Sequence, residues 1–247
     1  MSASIPVRWQ WLLPQATPDP ARLQRALELL QWLAFACMLA DHIGFFVLGQ
    51  QVSWLRGIGR LTFPLFGIVF AWRVAEMLRR EPGRSLMGMQ GRLLLAAVVS
   101  QVLFVVLLDY AELLNILFSF AAALAIVQLL DPASQSDPHD PLWRRAAAAA
   151  VVLAAVGLHA DYGWSGVMMI VTMHAFFRTG SAAAAAAVVL TVLAVSLLHP
   201  QHWGVLALPL AVVLLRLGLG VGRPVRHLFY WLYPGHLFLV AGLRMAS

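Results

Sequence analysis

The chain has 247 residues, of which 61% are hydrophobic and 11% are charged, with a formal net charge of +6. Because about a quarter of the residues of an ordinary soluble domain are charged, this composition excludes that class and predicts a polytopic membrane protein. A single cysteine, Cys37, excludes a disulfide framework, and the arginines lie between apolar segments, which indicates topology signals and no nucleic-acid partner.

The elements in chain order are a proline-containing leader and then a series of apolar helices. Residues 1–25 contain four prolines and no apolar stretch of signal-peptide length, so we expect a cytoplasmic leader that is not cleaved. Residues 26–247 are expected to form one transmembrane domain, an all-α polytopic transmembrane helix bundle of about nine spans. The predicted spans are 28–48, 62–78, 93–108, 113–130, 146–158, 164–177, 182–198, 203–217 and 228–243.

The arginines also predict the orientation of the bundle. With a cytoplasmic N-terminus and nine spans, fourteen arginines are cytoplasmic and three, Arg56, Arg60 and Arg244, lie outside. This asymmetry is typical of the positive-inside tendency and places the C-terminus on the external side. The polar, proline-rich loop from Asp131 to Leu142 is expected to be flexible and unpacked.

Two ionisable residues, Asp41 and His42, lie inside the first predicted span. Each such group costs a few kcal/mol to insert, so the pair indicates a functional site. A histidine there can act as a general base with a carboxylate fixing its tautomer, and the structural alternative is an interhelical hydrogen bond. Neighbouring residues on a helix point about 100° apart, so Asp41 need not contact His42.

Polar residues near other helix ends are further candidates. Arg60 follows Gly57-Ile58-Gly59, which we expect to be flexible, and could either hold a carboxylate or phosphate or pair with Asp41. Pro64 is expected in the first turn of the next helix, where a missing amide donor is harmless.

The second half of the chain adds three features. Asn115 is expected to begin the fourth predicted span, and Asp161-Tyr162-Gly163 precedes the sixth. The segment Tyr233-Pro234-Gly235-His236 is expected to interrupt the last helix next to a cavity, which makes His236 a second intramembrane histidine. The chain has no HExxH or CxxC motif, so we expect no metal. It also has no GxSxG motif, no phosphate-binding loop and no lysine.

Five ordered motifs resemble the TraX family, and together they span residues 40 to 237. They are Ala40-Asp41-His42-Ile43-Gly44, Gly59-Arg60-Leu61-Thr62-Phe63-Pro64-Leu65-Phe66, Leu114-Asn115-Ile116-Leu117-Phe118, Asp161-Tyr162-Gly163-Trp164-Ser165-Gly166 and Tyr230-Trp231-Leu232-Tyr233-Pro234-Gly235-His236-Leu237. The best-known member of this family acetylates the pilin of conjugative plasmids. The resemblance therefore implies a transferase of the bacterial inner membrane that uses acetyl-CoA as co-substrate and acetylates the N-terminal amine of a pilin.

The family is also similar to broader membrane acyltransferases, in which a first-helix histidine is taken as catalytic. In those proteins a basic residue ten intervening positions earlier helps to hold coenzyme A, and Gln31 occupies that position here. The resemblance thus implies that His42 is the general base and that other arginines hold the coenzyme-A phosphates. The candidates for that role are Arg25, Arg60, Arg73 and Arg92.

The remaining roles follow from the chemistry of the reaction. Asp41 or Asp161 would orient the base or hold the acceptor ammonium, and Asn115 or Tyr233 could donate a hydrogen bond to the oxyanion. Tyr162 and His236 complete the expected substrate site. The partners are a pilin or other peptide and membrane lipid. Acyl transfer to a glycan, a non-catalytic pilus or envelope assembly factor and a small transporter are the alternatives.

Overall fold

The computed structural model describes residues 20–49, 52–109, 111, 113–134, 139–220 and 228–246. Within these ranges the chain is all-helical, and its only strand-like feature is an isolated bridge between Leu114 and Ala160. The fold class is therefore confirmed at the level of an all-helical bundle.

Ten α-helices make up the described part of the chain. They are α1 (Pro20–His42), α2 (Ser53–Gly59), α3 (Thr62–Arg80), α4 (Met87–Leu108), α5 (Ile116–Leu130), α6 (Leu142–Gly157), α7 (Gly163–Thr179), α8 (Ala182–Leu197), α9 (Ala207–Leu217) and α10 (Leu228–Ala246). A π-helical turn, Ile43–Val47, continues α1, and a 3₁₀ turn, His202–Leu206, precedes α9. Each predicted span overlaps one helix, and α2 is the additional element.

Local sequence explains several helix ends. Asn115 caps α5, and its side chain accepts a hydrogen bond from the Leu117 amide, as its position predicted. Pro64 lies in the first turn of α3, also as predicted. Gly180 and Gly218 end α7 and α9 in the left-handed conformation that glycine favours.

Two predictions about helix continuity were wrong. Gly57-Ile58-Gly59 is part of α2, and both glycines are buried, because tertiary packing holds this segment in a helix. Helix α10 runs through Pro234 without interruption. Proline removes one amide donor but leaves the rest of the helix free to form, and the neighbouring helix α4 packs along α10.

The lengths of the helices bear on the membrane. By length and composition, Ala21–Val47, Ser53–Arg80 and Met87–Val106 are long and apolar enough to cross a bilayer. Shorter apolar helices cover Ile116–Leu130, Ala182–Leu197 and His202–Leu217. These helices are typical of a membrane protein, whereas the count of nine crossings stays a prediction.

The two ends of the bundle differ in their side chains. Hydrogen bonds join Arg22 to the carbonyl of Leu217, Arg79 to that of Phe177, and Gly83 to that of Ala133 at one end. We call this the arginine end. The other end carries His42, Arg60, Asn115 and Asp161.

The start of the loop from Asp131 to Leu142 is packed, contrary to the prediction. Asp131 is buried, and its carboxylate pairs with His174 at 2.7 Å and with Arg178 at 3.0 Å on α7. The following residues, Pro132–Ser134, form a 3₁₀ turn. Part of the loop, residues 135–138, lies outside the described residues.

Candidate functional site

A cavity of about 400 Å³ lies at the end of the bundle opposite the arginine end. Helices α1, α2, α3, α4, α5 and α10 contribute to its wall, as do the π-helical turn after α1, the turns before α3 and α7 and the segment after α8. We call it the histidine chamber. Its polar lining residues are Asp41, His42, Arg56, Arg60, Thr62, Asn115, Asp161, Tyr162, His199 and Tyr233.

The Asp41 carboxylate is shared by two arginines. Arg56 Nη1 donates to Asp41 Oδ1 at 2.9 Å, and Arg60 Nη2 donates to Oδ1 and Oδ2 at 3.1 and 3.3 Å. The Arg60 side chain is only 5% exposed, and its Nε also donates to the Arg56 carbonyl. Of the two possibilities for Arg60, the structure therefore has the ion pair with Asp41. The Asp41 carboxylate binds Arg56 and Arg60, and His42 has a different partner.

His42 contacts a second histidine. Its Nδ1 lies 2.7 Å from Nε2 of His236, and the two ring planes differ by 17°. His42 is the last residue of α1, directly before the π-helical turn, and such turns are frequent at functional sites. Phe46 and Phe104 present their rings edge-on at 5.8 and 5.6 Å. The imidazole thus lies between aromatic rings and lines the chamber.

Asp161 and Tyr162 enter the chamber from the turn between α6 and α7. Among the described residues, no hydrogen bond reaches the Asp161 carboxylate, and burial raises its pKa, opposed by the charges of Arg60 and Arg56. The Tyr162 ring is buried and stacks on Phe63 at 4.3 Å, and burial raises its pKa. The Asp161 carboxylate therefore lines the chamber and is available to accept hydrogen bonds from a ligand.

Asn115 and Tyr233 differ in their availability as donors. The Asn115 amide donates to the Ala97 carbonyl at 2.9 Å and to Gln101 Oε1 at 3.0 Å, so its hydrogens hold α5 against α4. Tyr233 is buried and packs edge-on against His236 at 5.2 Å. Within the described residues the Tyr233 hydroxyl makes no hydrogen bond, so of the two predicted oxyanion donors it is the available one.

The family model described as TraX protein matches residues 26–244, which is nearly the whole chain and contains all the chamber residues. The chain belongs to the TraX family. This membership supports a pilin-related function associated with conjugation. The chain matches no curated protein and no solved structure.

The TraX chain has a second cavity, which lies between the histidine chamber and the arginine end. Its volume is about 170 Å³, and its lining is mostly apolar, with Gln31, Arg73 and Tyr233 as the polar exceptions. We call it the apolar chamber. Three residues, Met38, Ile116 and Tyr233, line both chambers and so separate them.

The predicted coenzyme-A arginines have different surroundings. Arg73 lines the apolar chamber, whereas Arg25 and Arg92 are exposed on α1 and α4. Arg60 is committed to Asp41. Gln31, which replaces the basic residue of the related acyltransferases, is buried and lines the same chamber as Arg73. Within the described residues, no three His, Cys, Asp or Glu side chains come together as a metal site.

Sequence reasoning missed three residues of this TraX protein. Arg56 was treated only as a topology signal, although it completes the Asp41 ion pair. His199 was not among the predicted site residues, yet it lines the chamber, and burial lowers its pKa to about 4. His174 was not singled out, although it is buried against Asp131. The one available signal was the presence of an ionisable residue inside an apolar span, as with His174 in α7.

Proposed function

We propose that this TraX protein is an integral membrane acetyltransferase that moves an acetyl group from acetyl-CoA to the N-terminal amine of a pilin subunit. The observation that carries the proposal is the position of His42. Its imidazole is hydrogen-bonded to a second histidine in a polar chamber that adjoins an apolar chamber. The family membership supports the pilin as acceptor.

The donor would enter from the arginine end. Coenzyme A carries several phosphates, and Arg73 lies where the apolar chamber approaches that end. Arg73 follows Thr62, a residue of the histidine chamber, by eleven positions of α3, which is about 17 Å at a rise of about 1.5 Å per residue. A donor with a charged head and a thioester on a long arm suits this separation. Arg25 and Arg92, both on the arginine-rich half of the bundle, are secondary candidates for the phosphates.

The acceptor would enter the histidine chamber. An α-amine has a pKa near 8, so it arrives largely as an ammonium, which needs an anionic partner. Asp41 is neutralised by Arg56 and Arg60, whereas Asp161 has unused acceptor capacity. We therefore assign the ammonium to Asp161.

The chemistry then requires one base and one oxyanion donor. The ammonium first releases one proton to solvent water. The free amine nitrogen then attacks the thioester carbon, and Tyr233 donates a hydrogen bond to the oxygen that gains charge. His42 takes the second proton as the C–N bond forms, and returns it to the thiolate as the C–S bond breaks. The products are the acetylated amine and coenzyme A.

The charge distribution supports an orientation for this reaction. The arginine end would face the cytoplasm, where acetyl-CoA is made, and the histidine chamber would face the external side of the bacterial inner membrane. The N-terminus would then be cytoplasmic and the C-terminus periplasmic.

The decisive experiment compares wild-type protein with His42→Ala. Purified protein is mixed with labelled acetyl-CoA and a peptide that has the N-terminus of the mature pilin, and the mass of the peptide is measured. We expect loss of transfer by about 10²–10⁴-fold, because a general base contributes about that much. The detergent melting temperature should change little, since an intramembrane hydrogen bond contributes about 0.6 kcal/mol on average.

The exposed histidine His159, at the same end of the bundle, supplies the matched control. His159→Ala should transfer acetyl at the wild-type rate. Near-normal transfer by His42→Ala, or loss of transfer together with loss of folding, would contradict the role of His42. An acceptor whose mass is the same in cells with and without the gene would remove the pilin as substrate and favour a glycan or another peptide.

A further inference from the structure

The hydrogen bond between His42 and His236 raises the question of which nitrogen carries the proton. In a neutral imidazole one nitrogen donates and the other accepts, so a bond between two neutral histidines fixes one tautomer from the other. The two nitrogens approach to 2.7 Å while the ring centroids stay 4.8 Å apart. The rings therefore meet nitrogen to nitrogen, which is the arrangement of a hydrogen bond.

A main-chain carbonyl settles the tautomer of His236. Its Nδ1 lies 3.3 Å from the carbonyl oxygen of Leu232, one turn earlier on α10. A carbonyl oxygen can only accept, so His236 Nδ1 carries the hydrogen and His236 Nε2 carries the lone pair. His42 Nδ1 must then donate its hydrogen to His236 Nε2.

The consequence for His42 is that its Nε2 has no hydrogen and is free to accept a proton. We infer that His236 is a positioning residue that holds His42 in this tautomer, so that Nε2 is the basic nitrogen of the histidine chamber. The inference rests on the proposed function for the reaction that Nε2 serves, whereas the tautomer rests on the contacts alone. In this arrangement His236 accepts the Nδ1 hydrogen of His42 and fixes its tautomer, as a carboxylate does for the histidine of a Ser-His-Asp triad.

The hydrogen bond between His42 and His236 is compatible with both protonation states of His42. When His42 accepts a proton at Nε2, its Nδ1 hydrogen still donates to His236, so the bond is kept throughout the reaction. Asp41 is not the partner of this hydrogen, because its carboxylate accepts from Arg56 and Arg60, whereas His42 Nδ1 lies against His236. The same bond also joins α1 to α10, which are separated by most of the chain.

Two readouts test the inference, and the first does not depend on activity. The full chain is labelled with nitrogen-15 histidine in nanodiscs, and the His42 signals are assigned by their absence in His42→Ala. We expect a protonated Nδ1 and a non-protonated Nε2 in the wild type, and a mixture of both tautomers in His236→Ala. A wild-type His42 that is protonated at Nε2 would overturn the inference, whether or not the protein transfers acetyl.

The second readout is a set of substitutions at position 236. His236→Ala should lower kcat for acetyl transfer by at least about 10-fold, up to the 10²–10⁴-fold contribution of the base, with KM for acetyl-CoA unchanged. His236→Gln offers an acceptor oxygen at a similar reach and should recover most of the loss. Wild-type kcat in His236→Ala would overturn the inference, as would a His236→Gln variant that folds but is no better than His236→Ala.

The two readouts also separate this inference from the proposed function. A wild-type protein that transfers no acetyl but has the expected tautomer would contradict the proposed reaction and support the tautomer. A protein that transfers acetyl and depends on His42, but has the opposite tautomer, would support the reaction and contradict the role of His236.

Discussion

The side chain of Asp41 lies directly against Gly59, so that a β-carbon at position 59 would be 2.3 Å from the β-carbon of Asp41 and 2.5 Å from its Oδ1. No side chain larger than hydrogen fits there without moving Asp41. This contact brings the end of α2 next to the end of α1, and it places Arg56 and Arg60 on the same carboxylate. The glycine is thus required by packing, in a segment that sequence reasoning predicted to be flexible.

The first prediction is that Gly59→Ala destabilises the protein by breaking this ion pair. Displacing Asp41 leaves the nearly buried Arg60 without its partner, and breaking a buried pair costs about 3–5 kcal/mol. The melting temperature in detergent and the rate of acetyl transfer should both fall. Gly91→Ala is the control, because a β-carbon there meets no atom within 4 Å. A melting temperature and a transfer rate equal to those of the wild type in Gly59→Ala would contradict the close contact between Gly59 and Asp41.

The second prediction concerns topology. A reporter inserted in the loop between α3 and α4, which carries Arg84, should be cytoplasmic, and one fused after α10 should be periplasmic. The reason is the concentration of arginines at one end of the bundle. The measurement is the activity of reporters that function on only one side of the membrane. Two reporters on the same side would exclude an odd number of crossings between α3 and the end of α10.

The sequence was sufficient for the parts of the structure that depend on local chemistry. Apolar length and polar interruptions located the helices, and Asn115 and Pro64 marked helix starts through the hydrogen-bonding needs of a first turn. The contacts between distant elements could not be predicted in this way. His42 and His236 are 194 positions apart, and periodicity describes which face a residue occupies but not which helix it meets.

The same limit explains why the sequence left the partner of Asp41 open. Its position beside His42 suggested a shared function, but adjacent helical side chains diverge. The carboxylate is instead bound by Arg56 of α2 and by Arg60, which directly follows α2. The loop at Asp131 is a similar case. Its composition was that of an unpacked segment, yet a histidine and an arginine on α7 hold its first residue in the protein interior.

The third prediction tests the acceptor subsite at Asp161. Asp161→Asn keeps the shape of the side chain but removes its charge, so an ammonium should bind more weakly by about 10-fold or more, as for a charge-assisted hydrogen bond. KM for the acceptor peptide should rise and KM for acetyl-CoA should not. The exposed Asp109, which follows α4 at the same end, provides the control Asp109→Asn. An unchanged KM for the peptide in Asp161→Asn would place the ammonium elsewhere.

The fourth prediction tests the donor site at Arg73. Arg73→Ala should raise KM for acetyl-CoA by about 10-fold or more, because a phosphate would lose a charged donor. Gln31→Arg, in the same chamber, should preserve or lower this KM and should partly rescue Arg73→Ala. Arg144→Ala removes an exposed arginine at the start of α6 and should have no effect on KM. An equal rise in Arg144→Ala would mean that the arginine end attracts the donor only through its total charge.

The last prediction concerns the Asp131 cluster at the arginine end. Burial alone would raise the pKa of Asp131, but hydrogen bonds from His174 and from the Ala133 amide, together with the charge of Arg178, lower it below its ordinary value. A carboxyl group whose pKa is lowered on folding stabilises the protein above the pKa of the unfolded state, near 4. That contribution is lost as pH falls through the lower pKa of the folded state.

Asp131→Asn should therefore reduce the melting temperature at pH 7 and have a smaller effect below about pH 4. The expected loss at pH 7 is about 1–3 kcal/mol, as for a buried group deprived of its partner. Asp140→Asn removes a more exposed carboxylate, 3.8 Å from Arg144, and should leave the melting temperature unchanged. The melting temperatures of wild type and Asp131→Asn are measured at several pH values between 3 and 8. A difference that stays constant over this range would mean that Asp131 stabilises the bundle by its shape and not by its charge.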